Sequence, residues 1–70
     1  MTVHWHGSLS AAGRQEDCIV LDISPGGARV QCSDPFDRVD LVQLELAQGD
    51  HHQGSIVWRH GSFMGLQFAA

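Results

Sequence analysis

Leu21-Asp22-Ile23-Ser24-Pro25-Gly26-Gly27-Ala28-Arg29-Val30 reverses the direction of the chain within a few residues. Before the turn, Cys18 to Ile23 is almost wholly apolar, as expected of a strand covered on both faces or closed into a barrel. Proline presets φ at the second turn position, and the glycines after it can take the positive φ that other residues resist. Beyond the turn, Ala28 to Cys32 puts Val30 on one face and Arg29 and Gln31 on the other. The segment therefore predicts a β-hairpin, 18–23 against 28–32.

The flanking sequence continues the pattern. Val3 to Leu9 reads as a strand, followed by a Ser10–Gly13 loop leading into Arg14-Gln15-Glu16-Asp17. Downstream, Ser33–Asp37 is a turn, and residues 39–46 alternate with Val42, Leu44 and Leu46 inward and Gln43 and Glu45 outward. Gly49–Gln53 reads as a polar loop, Ser55 to Arg59 as a strand, His60-Gly61-Ser62 as a tight turn and Phe63 to Phe68 as the last strand. No stretch predicts a helix longer than a turn. Short strands separated by local turns suggest an all-β fold, and closure into a six-stranded antiparallel barrel removes exposed edges economically.

Seventy residues suffice for a single domain, 1–70, with a thin core, since a chain this short buries only about 60% of its unfolded surface. No run approaches the roughly 18 apolar residues of a membrane helix, and the start lacks the pattern of a secretory signal, so the cytosol is the expected compartment. Eight acids face four arginines and no lysine, a formal charge of −4. Phosphate-binding surfaces need clustered cations, so neither a nucleic-acid polymer nor an anionic membrane is an expected partner. Any anionic ligand would be held by one or two arginines and by backbone N–H groups.

Cys18 and Cys32 have neither zinc-ribbon nor Cys-x-x-Cys spacing. A hairpin around Pro25 would place them nearly opposite one another, so a disulfide is conceivable, although in a cytosolic chain two reduced thiols are expected. His4 and His6 share a strand face and His51-His52 adjoins Asp50, but no further ligand is tied to them by spacing, and no metal is expected. Trp5 and Trp58 read as core or barrel-rim residues, with a stacking platform or partner anchor as the alternative. No nucleophile elbow, phosphate-cradling loop or carboxylate pair with its own pocket occurs, so the chain is not expected to be an enzyme.

Asp22, Ser24 and Gly27 stand at the fixed positions of an Asp/Asn-x-Ser-x-x-Gly pattern, and the segments Gly54-Ser-Ile-Val-Trp-Arg59 and Gly61-Ser-Phe-Met-Gly-Leu-Gln-Phe68 follow at matching spacing. Together they resemble the signature turn and closing hairpin of PilZ domains, over about Val3 to Phe68. The resemblance implies a PilZ-type barrel engaged in cyclic di-GMP signalling, in which Asp and Ser hydrogen-bond a guanine and Gly lets the backbone approach it. That division of labour is chemically reasonable, because a carboxylate matches the guanine N1–H and N2–H donors.

One part of the family pattern is missing. Ligand-binding members carry an Arg-x-x-x-Arg segment upstream of the barrel, and none occurs here. Each such contact is worth roughly 1.5–3 kcal/mol, so losing two weakens binding by about two to four orders of magnitude. The sequence therefore argues against tight direct binding. Arg29, Arg59 and Arg14 are the candidates to stand in for the pair, around Asp22, Ser24 and Gly27. The alternative is a ligand-free barrel that docks a protein partner or a second copy of itself. No cofactor is expected beyond cyclic di-GMP as a possible ligand.

Overall fold

The computed structural model describes residues 1–33, 36 and 41–69. Six strands follow in chain order: β1 (Thr2–Ala11), β2 (Arg14–Ser24), β3 (Gly27–Cys32), β4 (Leu41–Leu46), β5 (His51–His60) and β6 (Phe63–Phe68). They form a closed antiparallel barrel in the order β1-β2-β3-β6-β5-β4, with β4 pairing back to β1. This is the expected all-β architecture. The predicted residues 39 and 40 of the fourth strand, and most of the 33–37 turn, lie outside the described residues.

The interior follows the alternation. Leu9, Val20, Val30, Leu44 and Met64 are completely buried, and Val42 and Leu46 point inward while Gln43 and Glu45 face solvent. Ala28, Val30 and Cys32 alternate with exposed Arg29 and Gln31, as the sequence predicts. Phe36 is buried as well. No polar or charged side chain is buried among the described residues, so nothing interrupts the apolar filling.

Three turns differ from their sequence reading. Arg14 belongs to β2, because the loop read as 10–13 is a two-residue connection in which Ala12 and Gly13 have φ of 52° and 76°. Successive positive φ values match the right-handed twist of flanking strands and permit the tightest hairpin. His51, His52 and Gln53, read as loop, begin β5, where they pair with Glu45, Leu44 and Gln43. The turn after Ser24 has Pro25 and Gly26 at its centre, and neither Gly26 nor Gly27 adopts positive φ.

The pairing carries three register shifts among the described residues, one in β1–β2 between Thr2 and Trp5, and the other two decide which side chains face out. In the β2–β3 pairing Val20 meets Val30 but Asp22 meets Arg29, leaving Leu21 as the extra residue. In the β5–β6 pairing Ile56 meets Leu66 but Trp58 meets Gly65, leaving Val57 unmatched. An extra residue sends the rest of its strand to the opposite face. Asp22 is thereby set outward beside Arg29, Trp58 outward beside Val57, and Arg59 toward the barrel end.

Candidate functional site

The Leu21 bulge builds the site. Without it Asp22 would alternate inward after Val20; with it, the carboxylate stands on the outer face directly across from Arg29. Arg29 Nη2 donates to Asp22 Oδ2 at 3.5 Å, with both side chains partly exposed. The amino group of Met1 lies 3.3 Å from Asp22 Oδ1 and donates to the Ile23 carbonyl at 3.0 Å. One carboxylate thus faces two cations in solvent, where each pair contributes little to stability.

Ser24 and Gly27 close the edge. The Ser24 hydroxyl donates to the Gly27 carbonyl at 3.5 Å, and the Gly26 carbonyl accepts from the Phe68 amide at 2.9 Å. A Cβ on Gly27 would overlap the carbonyl oxygen of Leu66 on β6. Glycine is required here by the close approach of two backbones, whatever binds outside. Asp22, Ile23, Ser24, Gly27, Ala28 and Arg29 surround a shallow cavity of about 160 Å³.

The pairing extends this edge across the sheet. Arg29 is paired with Gly65 and Gly65 with Trp58, so Asp22, Arg29, Gly65 and Trp58 form one outward row over four strands. The Trp58 indole lies on Gly65, in the space a side chain there would fill. It keeps 43% of its surface exposed. Trp58 is therefore an outward aromatic plane in the row of the motif, while Trp5 is half-buried against the core. Sequence reading could not align Trp58 with Asp22, because that alignment depends on both bulges.

The other two candidate arginines lie elsewhere. Arg14 opens β2 and Arg59 is near the end of β5, which in an antiparallel barrel is the end opposite the Pro25 turn. Both engage Phe36. The Arg14 guanidinium sits 4.5 Å from the ring centroid and its Nε bonds Glu16 at 3.1 Å, while Arg59 Nε donates to the Phe36 carbonyl at 2.8 Å. Of the six candidate residues, Asp22, Ser24, Gly27 and Arg29 come together, whereas Arg14 and Arg59 hold the far end.

The histidines are similarly dispersed. His51 Nε2 lies 3.3 Å from Glu45 and its Nδ1 is 3.2 Å from Gln43 Nε2. His52 stacks on Phe68 with centroids 4.4 Å apart.

With this geometry in view, comparison with known families is decisive. The model of the PilZ domain matches residues 1–70. The chain belongs to the PilZ family. No curated protein and no solved structure matches it. PilZ domains are cyclic di-GMP-related signalling modules, and the outward row lies where this chain carries the family's Asp-x-Ser-x-x-Gly residues.

Proposed function

We propose that this PilZ barrel is a non-catalytic signalling module whose Asp22–Ser24–Gly27–Arg29 edge takes a guanine of cyclic di-GMP with low intrinsic affinity. The observation that carries the reading is the Leu21 bulge, which turns Asp22 outward into line with Arg29 around one cavity. About 160 Å³ accommodates a single ring system and little more. The Asp22 carboxylate offers acceptors to the guanine N1–H and N2–H, and Arg29 supplies one cation for a phosphate. A single guanidinium in place of a pair forfeits one such contact and lowers the affinity by about one to two orders of magnitude.

Titration calorimetry with cyclic di-GMP tests this. Weak heats are expected at high micromolar ligand, lost in Arg29→Ala and Asp22→Ala. Met1 adjoins Asp22, so an Arg-x-x-x-Arg segment joined ahead of it through a short flexible linker is expected to tighten binding a hundredfold or more, on the scale of about 1.5–3 kcal/mol per contact. No heat from folded wild-type protein would sink the reading.

A second reading has its own observation. Leu41, Val57, Trp58 and Phe63 are all exposed on β4, β5 and β6. Apolar exposure of this kind on a small domain suits a protein partner or a second copy. Sedimentation across a concentration series distinguishes the cases; a strictly monomeric protein counts against self-association.

A further inference from the structure

The Leu21 bulge has a second effect, on the two cysteines. At the turn, paired residue numbers sum to 51, as in Asp22 with Arg29; beyond the bulge they sum to 50, so that Cys18 stands directly opposite Cys32. Both are buried and unbridged. The Cys32 amide donates to the Ser62 carbonyl at 2.8 Å, so the backbone groups of Cys32 point toward β6 and away from β2. Cys18 and Cys32 are therefore a non-hydrogen-bonded pair, the antiparallel register in which opposed side chains come closest. Such pairs have Cα atoms about 4.5 Å apart, inside the roughly 4.4–6.8 Å range of disulfides, and need Cβ atoms to close by about 1 Å.

We propose that Cys18 and Cys32 form a reversible disulfide, driven by a small hydroperoxide, that staples the β2–β3 hairpin. A cavity of about 640 Å³ lies against this part of the barrel, and its wall includes Cys18 together with His6, Asp17 and Ser33. The sulfurs themselves are buried, and the Cys32 thiol donates to the Asp17 carbonyl at 3.5 Å, so a solute in this cavity meets them only when the hairpin opens locally. Burial keeps the Cys18 thiol protonated, so in the first step a local opening of the hairpin exposes one cysteine, which loses its proton and attacks a peroxide oxygen through its sulfur. The O–O bond breaks and, with hydrogen peroxide, the other oxygen leaves as water, giving a sulfenic acid. The second sulfur then attacks the first, forming the S–S bond and releasing the sulfenic oxygen as a second water. Two thiols are oxidised and one peroxide is reduced. The closed ring, 18 to 32, contains the whole Asp22–Arg29 edge, so the staple acts on the hairpin that presents it. This inference does not depend on nucleotide binding.

The test uses the folded protein with hydrogen peroxide, followed by intact mass under non-reducing conditions and thermal melting. The expected product is a monomer lighter by two hydrogens, with a Tm raised by about 5–10 °C for a ring of this size after allowance for strain, and dithiothreitol restores both values. Cys32→Ser is expected to show neither change. Cys32→Val serves if the serine variant does not fold, and the wild-type measurement stands without either. Three results would overturn the proposal: thiols that stay unreacted until denaturant is added, stable addition of oxygen without loss of hydrogens, or a covalent dimer.

Discussion

At the Pro25 end of the barrel Arg29 faces solvent against Asp22, whereas at the opposite end Arg14 and Arg59 converge on the buried Phe36. The residue type is the same and the work differs. A guanidinium over a buried aromatic ring or on a backbone carbonyl is fixed in place, because those partners cannot leave. A guanidinium paired with an exposed carboxylate can exchange its partner for a ligand at little cost. The barrel is held at one end and available at the other, and the two ends can be perturbed separately.

The largest effect is expected at the Phe36 end. Phe36→Ala removes a fully buried ring and should cost about 3–5 kcal/mol, lowering Tm by about 15 °C or more. Weak cyclic di-GMP heats should persist at temperatures where the variant is folded. If the variant melted like wild type, Phe36 would not anchor this end of the barrel.

Gly27→Ala probes the available end. The new methyl meets the Leu66 carbonyl, a backbone atom of a paired strand, so β3 and β6 must move apart. A loss of about 2–3 kcal/mol is expected in chemical denaturation, as for other overpacked sites. A stable Gly27→Ala protein that had lost only its ligand would instead assign the glycine to ligand approach, as the family pattern alone suggests.

High pH acts on the hairpin between the two ends. Burial, then the neighbouring Cys32 and Asp17, push the Cys18 thiol from 9.0 up to about 12. Above pH 9 the unfolded chain releases this proton while the folded chain keeps it, so stability is intact below pH 9 and falls as pH rises toward 12. The loss should be on the order of 2 kcal/mol by pH 11. With neither lysine nor tyrosine in the chain, only Cys32 and the amino terminus share this window. Denaturation midpoints measured at pH 8 and pH 11 under reducing conditions should diverge more in wild type than in Cys18→Ser.

The strands were legible wherever alternation and turn chemistry agreed. The last strand, 63–68, matches its predicted bounds, and the inward set Val42, Leu44 and Leu46 is as read. Strand β5 was read short because His51-His52-Gln53 is polar, yet β4 pairs with it along its backbone, which polarity does not oppose. The first loop was read long because Ala12 gives no sign of a positive φ. The motif residues were legible as a group; the position of Arg59 was not. Cys18–Ile23 and Ser55–Arg59 look like unbroken strands, and no residue in either announces a bulge at Leu21 or Val57. Each bulge redirects everything beyond it, so period-two reasoning fails at the very places that set Asp22, Trp58 and Arg59.

The smallest expected effects give the sharpest form of the comparison, through a pair of arginine variants. Arg59→Leu keeps most of the side-chain volume but deletes a 2.8 Å charged hydrogen bond to the Phe36 carbonyl, and should cost about 1–2 kcal/mol with cyclic di-GMP heats unchanged. Arg29→Ala deletes a 3.5 Å exposed pair and should change stability by less than about 0.5 kcal/mol while abolishing those heats. Denaturation and calorimetry on the same two proteins therefore predict a crossed result, in which each variant moves one readout and spares the other. If both variants moved both readouts together, the ends would be coupled through the barrel, and the assignment of one to anchoring and the other to recognition would fall.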